Sequence, residues 1–382
     1  MMQALVGARI VLADRVVEEQ ALVLDGARIA GLVSVDALPA GCAVQALDGG
    51  WLLPGFIDTQ VNGGGDVLFN DQPSVAGIRT IAAAHRRFGT TGILPTLISD
   101  YPDVVDAAIA AGEAALAERV PGVLGLHIEG PHLNAARKGI HDAARFAVID
   151  AEAVARLLSP TRGRRIVTLA PELAAAGTVR TLADAGVLVC AGHSVADYDQ
   201  TRAALDEGLA GFTHLFNAMT QFASRAPGMV GAALEDRTSH FGLIVDGLHV
   251  HPAALRVALL ARGIAGAMLV TDAMPPVGGT RDAFTLMGQA IRVVDGTCSG
   301  PDGTLAGSAL TMIDALCNAM DMLGRDIVDA SRMASGNPAR FLRIDGETGT
   351  IAAGLRADLV HIDAERQVCA TWIAGDPMDH RA

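Results

Sequence analysis

The sequence is poor in aromatic residues, in lysine and in paired cysteines. Aromatic side chains make up 4% of the 382 residues, so alanine, valine, glycine and leucine must supply most of the core. Lys138 is the only lysine, which a coding bias towards arginine explains. The five cysteines are scattered and include no Cys-x-x-Cys pair. This spacing argues against a disulfide framework and a cysteine-based zinc site, and it fits a reducing compartment.

A basic surface and a long apolar segment are also missing. The formal net charge is -13, whereas nucleic acids and anionic membranes are bound through basic faces. No run approaches the ~18 apolar residues of a membrane helix, and the N-terminus does not resemble a signal peptide. We therefore expect a cytoplasmic protein that binds neither nucleic acid nor membrane. Any anionic substrate would need a local cationic pocket.

Eight short apolar runs stand out along the middle of the chain, and most are separated by helical stretches such as 75–88 and 104–119. Runs that are apolar throughout are typical of parallel strands buried on both faces. Their alternation with helices predicts an α/β protein with a closed (β/α)8 barrel, although a doubly wound open sheet shares this local pattern. The predicted strands are 55–61, 92–98, 123–128, 166–170, 187–191, 211–215, 241–245 and 267–270.

The positions of the polar residues favour the barrel over the open sheet. An open sheet gathers its site at one switch point, whereas here reactive side chains follow strands one, three, five, six, seven and eight. Residues before 54 predict short strands, with a hairpin around Asp25-Gly26. Residues 282–303 predict a β-hairpin insertion, 308–342 helices, and 344–374 further strands. We expect a TIM-type barrel over residues 54–343 and a small β-sandwich domain from residues 1–53 and 344–382.

Residues of types that bind metals follow three of the predicted strands. They are Glu129, His193 and His214, which offer one oxygen and two nitrogens. A catalytic zinc ion typically takes three protein ligands and keeps a position for water, and barrel active sites lie at the carboxyl ends of the strands. A single histidine is more often a packed or surface residue. Three candidates in matching positions favour a metal centre.

Asp272 follows the last predicted strand. An aspartate in this position commonly caps a helix or bonds to loop backbone. Beside a metal-activated water, it would instead act as general base and then as acid towards a leaving amine. We favour this catalytic interpretation.

Several segments resemble the signatures of the N-acetylglucosamine-6-phosphate deacetylases, a branch of the amidohydrolase superfamily. The branch-specific segments are residues 125–132 (GLHIEGPH) and 213–219 (THLFNAM), and residues 191–194 (AGHS) and 270–273 (VTDA) fit the same family. Residues 54–58 (PGFID) are shared more widely. The resemblance extends from residue 54 to Asn337-Pro338-Ala339 and so covers essentially the whole chain.

The resemblance implies a function as well as a fold. It implies hydrolysis of the acetamide of N-acetyl-D-glucosamine 6-phosphate to D-glucosamine 6-phosphate and acetate, in amino-sugar catabolism. The metal would be held by Glu129, His193 and His214, and Asp272 would transfer the proton. It also implies a homodimer, in which Arg225 could reach into the neighbour's site.

The resemblance also implies a set of substrate contacts. Arg225, which could otherwise be a solvated loop residue, and His249 could meet the phosphate, and His141 could bond to the acetamide oxygen. The backbone at Asn217-Ala218 could supply N–H donors. The full set is Ile140, His141, Asn217, Ala218, Arg225, Asp246, Gly247, Leu248, His249, Leu305, Ala306 and Gly307.

One departure concerns the end of the first barrel strand. Many amidohydrolases carry His-x-His there, which helps to hold a second metal, but this chain has Gln60-Val61-Asn62. Neutral amides are poor ligands for a zinc-like ion beside imidazole. We therefore predict one divalent ion per subunit, with zinc preferred and iron, manganese or cobalt able to share such ligands. Gln60 would lie near the site, at most as a weak partner of the metal or as a contact of its ligands.

Two alternatives stay open at this point. The enzyme could act on another N-acyl substrate or on a cyclic amide, as elsewhere in the superfamily. The barrel could also be a catalytically inactive binding scaffold. Such scaffolds usually lose metal ligands, whereas this chain has all four key residues.

Overall fold

The computed structural model describes residues 2–381. The chain forms two compact units, of which one comprises Met1–Asp58, His85–Gly92 and Thr311–Ala382, and the other Thr59–Ala84 and Ile93–Leu310. The domain limits expected from the sequence, 1–53 with 344–382 and 54–343, stay a prediction.

The N-terminal strands and the C-terminal strands share one mixed sheet. In that six-stranded sheet the order is β24-β23-β22-β7-β2-β3, and a second sheet has the order β5-β4-β1-β6. The strands are β1 (Met2–Val6), β2 (Arg9–Val11), β3 (Val16–Val17), β4 (Gln20–Asp25), β5 (Arg28–Ser34), β6 (Ala43–Ala46), β7 (Trp51–Pro54), β22 (Leu359–Ile362), β23 (Val368–Ile373) and β24 (Asp376–Asp379).

A single apolar cluster lies between these two sheets. Leu5 and Leu22 enter it from the four-stranded sheet, and Leu52, Leu359 and Trp372 enter it from the six-stranded sheet. Side chains interdigitating from two inner faces are the usual core of a β-sandwich. The predicted sandwich built from both ends of the chain is confirmed.

The middle of the chain alternates strands and helices. The eight-stranded sheet has the order β8-β11-β12-β13-β14-β15-β16-β17, and every neighbouring pair from β11 to β17 is parallel. The elements are β8 (Phe56–Val61), β9 (Gly63–Gly64), β10 (Val67–Leu68), α1 (Val75–Arg86), β11 (Thr90–Ile98), α2 (Pro102–Ala117), β12 (Gly125–Glu129), α3 (Ala151–Leu157), β13 (Arg164–Leu169), α4 (Thr178–Asp184), β14 (Leu188–Ala191), α5 (Tyr198–Asp206), β15 (Gly211–Phe212), α6 (Gly228–Glu235), β16 (His240–Leu243), α7 (Pro252–Arg262) and β17 (Ala267–Leu269).

The first and last of these strands meet and close the barrel. Val61 and Ala273 form a parallel bridge. The Asp272 N–H donates to the Gln60 carbonyl oxygen at 3.0 Å, and the Asn62 N–H donates to the Ala273 carbonyl oxygen at 2.9 Å. The open-sheet alternative is therefore wrong, and the (β/α)8 barrel is confirmed.

Short polar caps begin several of the barrel helices. The Asp150 side chain accepts from the Ala153 N–H at the start of α3, and Asp197 and Gln200 form a capping box at the start of α5. These caps fix the residues at which α3 and α5 begin. Within residues 2–381, no helix combines the length and apolarity needed to cross a membrane.

Most observed strands begin or end within about two residues of the predicted limits, and two departures are larger. β15 ends at Phe212, because His214 turns the chain out of the extended conformation with φ 31°. The predicted hairpin over 282–303 is a four-stranded antiparallel meander that continues to Ser308. Its last strand, Leu-Ala-Gly-Ser, has no β-branched or aromatic residue and so gives a weak strand signal.

The meander and the helices after it complete the fold. Leu286, Ile291 and Cys298 of the meander pack in one apolar cluster with Ile98 and Ile140, near the carboxyl ends of the barrel strands. The elements are β18 (Ala283–Leu286), β19 (Gln289–Val294), β20 (Thr297–Ser299), β21 (Leu305–Ser308), α8 (Met312–Asp321), α9 (Ile327–Ser331), a π-helical turn (Arg332–Gly336) and α10 (Asn337–Phe341).

We predict that Gly125→Ala lowers the melting temperature. A Cβ at this position would lie against the backbone of Arg164 on the neighbouring strand, so β12 and β13 would have to move apart. Overpacking of this kind typically reduces stability by about 1–3 kcal/mol. Gly112→Ala on α2 is the control, because its Cβ would contact Leu126 at an ordinary 3.6 Å. Equal melting temperatures in thermal denaturation would contradict the prediction.

Candidate active site

A cavity of about 270 Å³ opens at the carboxyl ends of the barrel strands. It is lined by residues that follow the strand ends and by residues of the meander. The lining residues are Asn62, Ile98, Glu129, Gly139, Ile140, His141, His193, His214, Asn217, Ala218, Ile244, His249, Asp272, Met274, Thr304, Leu305 and Gly307.

The three predicted metal ligands converge in this cavity. Glu129 is the last residue of β12, and His193 and His214 follow β14 and β15. The Glu129 Oε1 lies 3.2 Å from the His193 Nε2 and 3.1 Å from the His214 Nε2, and the two Nε2 atoms are 3.0 Å apart. All three residues are buried. Within residues 2–381, no other group of three or more such residues has this geometry.

The charges at this cluster suit a cation. The His193 Nδ1 bonds to the Arg137 carbonyl oxygen at 2.9 Å, and because a carbonyl only accepts, Nδ1 carries the proton and Nε2 of the neutral ring keeps its lone pair. Burial acts to raise the pKa of Glu129, but interactions with the adjacent imidazoles of His193 and His214 outweigh it and hold the pKa well below its usual value. One carboxylate oxygen and two imidazole nitrogens fit the donor set of a zinc-like ion.

Three of the four residues Glu129, His193, His214 and Asp272 have left-handed backbone conformations, which set the directions of their side chains. The φ angles are 48° at His193, 31° at His214 and 52° at Asp272. Residues other than glycine rarely adopt this region, and each such conformation costs about 1–3 kcal/mol. Backbone bonds on either side hold the turns, for example from the Thr213 N–H to the Ala191 carbonyl oxygen at 3.0 Å.

Asp272 lies beside the cluster and is held through one carboxylate oxygen. Its Oδ1 accepts from the Asn62 Nδ2 at 2.6 Å and from the Gln60 Nε2 at 3.1 Å. The same Gln60 Nε2 donates to the Glu129 Oε2 at 3.1 Å, so Gln60 bridges the two carboxylates. Burial and the charge of Glu129 raise the pKa of Asp272 to about 6. This value lies near the pH at which a general base works well.

His141 presents one ring nitrogen to the cavity. Its Nδ1 is within hydrogen-bond distance of the Ser99 hydroxyl at 2.8 Å and accepts from the Ser99 N–H at 3.4 Å. Burial lowers the pKa of His141 to about 3, so the ring is neutral. The proton therefore resides on Nε2, which can donate to a bound group.

The His249 side chain also has a fixed orientation. Its Nδ1 lies 2.6 Å from the Asp246 Oδ2, and the Asp246 Oδ1 accepts from the N–H groups of Leu248 and His249 at 2.8 and 2.9 Å. Burial acts to raise the pKa of Asp246, but the bonds to His249 outweigh it and lower the pKa. Since Nδ1 is taken up by Asp246, Nε2 is the nitrogen left to the cavity.

The remaining predicted contacts divide into two groups. Ile140, Asn217, Ala218, Leu305 and Gly307 line the cavity beside His141 and His249. Asp246, Gly247, Leu248, Ala306 and Arg225 are not lining residues in this chain. Asp246 instead orients His249, and Ala306 is fully buried in the apolar cluster of the meander. Arg225 lies on an exposed segment, 221–226. Roles in substrate binding stay predictions for all of them.

Among the residues at the site that were not predicted from the sequence, two make hydrogen bonds to key segments, Asn62 and Glu172. Asn62 could have been predicted, because alternate residues of a strand share a face and Gln60 was already a candidate site residue. Glu172 lies just after β13, and no sequence pattern pointed to it. Its carboxylate accepts from the Ser194 hydroxyl at 2.6 Å, the Val195 N–H at 2.8 Å and the Asn134 Nδ2 at 3.0 Å. It thereby holds the segment that carries His193.

Known proteins share this architecture. The sequence pattern described as "Amidohydrolase family" matches residues 51–378. The chain belongs to the amidohydrolase family. An N-acetylgalactosamine-6-phosphate deacetylase of Shewanella sp. (strain ANA-3) is 39% identical over 372 residues, which are 97% of this chain and 94% of the relative.

Two solved structures of this family are similar over nearly the whole chain. The N-acetylglucosamine-6-phosphate deacetylase of Pasteurella multocida is 34% identical with a TM-score of 0.96, covering 99% of this chain and 100% of that one. The N-acetyl-D-glucosamine-6-phosphate deacetylase of Mycobacterium smegmatis was solved as an aspartate-to-alanine mutant in complex with N-acetyl-D-glucosamine-6-phosphate. It is 31% identical with a TM-score of 0.91, covering 98% of this chain and 99% of that one.

Membership of the amidohydrolase family confirms three expectations. The resemblance carried by the motifs is correct, the barrel with antiparallel sheets is the family's fold, and the protein is a metal-dependent amidohydrolase. The branch-specific segments 125–132 and 213–219 contain Glu129 and His214 of the cavity. The motifs therefore coincide with the chemistry of the site.

In this amidohydrolase, we predict that Glu172→Ala loosens the segment around His193. In this variant the Val195 N–H loses the carboxylate that accepts its hydrogen bond. The free energy of a hydrogen bond to a charged group corresponds to a change in the amide exchange rate of roughly 10- to 100-fold. Hydrogen–deuterium exchange over 193–195 should rise accordingly.

Two controls accompany this measurement. Glu172→Gln keeps an acceptor oxygen and should stay near the native rate. Glu207→Ala removes a carboxylate that accepts from the Gly177 N–H at 2.8 Å, so it should affect a different segment. Unchanged exchange over 193–195 in Glu172→Ala would refute the role of Glu172.

Proposed function

We propose that this amidohydrolase hydrolyses the acetamide of N-acetyl-D-glucosamine 6-phosphate to D-glucosamine 6-phosphate and acetate. The observation that carries the proposal is the convergence of Glu129, His193, His214 and Asp272 in one buried cavity. The two solved relatives named for this substrate, similar over almost the whole chain, support the choice of substrate.

In this proposal, Glu129, His193 and His214 hold one divalent ion, with zinc preferred over iron, manganese or cobalt. A bound ion of this kind supplies Lewis acidity, which makes water a nucleophile at neutral pH and polarises the amide carbonyl. The orientation of two amide side chains supports the choice of one ion. Gln60 and Asn62 turn N–H groups towards Asp272, and an N–H donor cannot be a metal ligand.

Asp272 and His141 carry the proton transfer and the charge stabilisation. The Asp272 carboxylate accepts the proton of the attacking water. It then delivers that proton to the amine nitrogen as the carbon–nitrogen bond breaks. The His141 Nε2–H donates to the acetamide oxygen as negative charge develops there.

The phosphate requires local cationic or donor groups, because the chain as a whole carries a formal charge of -13. We assign this role to His249 in the cavity and to Arg225. Since Arg225 is exposed and does not line the cavity of its own chain, the proposal includes a homodimer in which Arg225 reaches the neighbouring site. A cytoplasmic location also belongs to the proposal.

A second candidate substrate is N-acetyl-D-galactosamine 6-phosphate. The Shewanella relative, at 39% identity, is named for the deacetylation of that sugar phosphate. The two candidates differ only in the configuration of one ring carbon, so the same metal site and the same proton transfer would serve both. Only contacts to the sugar hydroxyls would differ.

We predict that Asp272→Asn retains its fold and its metal but loses turnover. General acid–base catalysis typically contributes about 10²–10⁴ in rate, and an amide at this position accepts no proton. Asp106→Asn is the control, because Asp106 is an exposed carboxylate paired with Arg156. Melting temperature, metal content and acetate release should be measured together. Near-native kcat in Asp272→Asn would end the assignment of Asp272.

We predict that acetate release depends on the 6-phosphate and on the metal. N-acetyl-D-glucosamine 6-phosphate should exceed unphosphorylated N-acetyl-D-glucosamine in kcat/KM by at least about 10²-fold, as expected for a lost charged contact. A chelator should abolish activity. N-acetyl-D-galactosamine 6-phosphate belongs in the same panel, and a higher kcat/KM for it would select the second candidate. Equal values with and without phosphate would remove the roles of Arg225 and His249.

A further inference from the structure

Among residues 2–381, the Asn62 side chain makes one hydrogen bond, and that bond goes to Asp272. Its Nδ2 donates to the Asp272 Oδ1 at 2.6 Å, and the residue is fully buried. The Asn62 Oδ1 is buried without a hydrogen-bond partner among the described residues. The hydrogen bond assigns the orientation of the amide, because the reverse orientation would place its oxygen against the carboxylate of Asp272.

The backbone fixes Asn62 relative to Asp272. The Asn62 N–H donates to the Ala273 carbonyl oxygen at 2.9 Å, and the Asn62 carbonyl oxygen accepts from the Phe69 N–H at 2.9 Å. Asn62 is therefore held by the residue that follows Asp272 and by the loop beyond β10.

The unpaired acceptor speaks against a purely stabilising role. A buried polar atom without a partner reduces stability, so a side chain chosen for stability alone would not leave one. What Asn62 supplies is a second N–H on the same carboxylate oxygen. Because Asn62 and Gln60 both bond to Oδ1, the Asp272 Oδ2 accepts no hydrogen bond from the described residues.

We propose that Asn62 is a positioning residue for proton transfer by Asp272. Its amide N–H pins Oδ1, so that Oδ2 takes the proton when an O–H bond of the attacking water breaks. Oδ2 then returns the proton to the amine nitrogen. This inference rests on the proposed function, since it requires Asp272 to be the general base. Asn62 is a cleaner probe than Gln60, because Gln60 also bonds to Glu129.

The test is a double-mutant cycle with Asn62→Leu and Asp272→Asn. Leucine has a similar shape and removes both polar atoms of the amide. Asn62→Leu should lower kcat by roughly 10- to 100-fold, the value of a hydrogen bond to a charged group, with KM within about threefold. In the Asp272→Asn background it should change the residual rate less than about twofold. Asn318→Leu on α8, the same exchange outside the site, is the control.

Two further measurements separate positioning from other roles. Metal content should be equal in Asn62→Leu and the native protein, because among the described residues the Asn62 side chain hydrogen-bonds to Asp272 and not to Glu129, His193 or His214. Calorimetric titration of Asp272→Asn and the double variant with N-acetyl-D-glucosamine 6-phosphate should give Kd values within about twofold.

Four outcomes would overturn the inference. They are native kcat in Asn62→Leu, an equal loss in the Asp272→Asn background, a loss of metal, and weaker substrate binding in the double variant. The last would make Asn62 a substrate contact. Failure of the proposed function looks different, because Asp272→Asn would then itself keep a near-native rate.

Discussion

The burial of the Glu129 carboxylate is the constraint on which the site depends. A carboxylate removed from water is unfavourable unless positive charge or several donors compensate for it. Here two imidazole Nε2 atoms and one amide N–H approach it, and at least one of those imidazoles keeps a lone pair directed at the same place. Such an arrangement of acceptors is stable when a cation lies among them. A bound cation would therefore also compensate for the burial of the Glu129 carboxylate.

The closure of the barrel turns that cluster into a catalytic site. Glu129 belongs to the third barrel strand, whereas Asp272 follows the eighth and Gln60 is the last residue but one of the first. Hydrogen bonds between the Gln60–Asn62 segment and the Asp272 region hold the last strand beside the first. Gln60 then links the two carboxylates directly. If the first and last strands did not pair in this way, Asp272 would lie away from Glu129, His193 and His214.

Much of the fold followed from local patterns. Continuous apolar runs of strand length predict strands buried on both faces, and β11 and β12 are buried along their whole lengths. The strand predictions that were wrong also have local causes. β15 is shorter than its apolar run because a left-handed residue ends it, and backbone angles of that kind leave no mark in hydrophobicity. β21 was missed because its residues have low strand propensity.

The sequence by itself determined the chemistry available: a glutamate, two histidines and an aspartate at strand ends, and amides where a second pair of histidines would otherwise stand. Residue type and strand periodicity are local properties, so they can be read along the chain. The tertiary structure decided which partners these groups meet. Asn62 against Asp272, Glu172 beneath the His193 segment, and Arg225 away from the cavity of its own chain all depend on contacts between distant segments. No local pattern encodes those contacts, because they exist only after the barrel has closed.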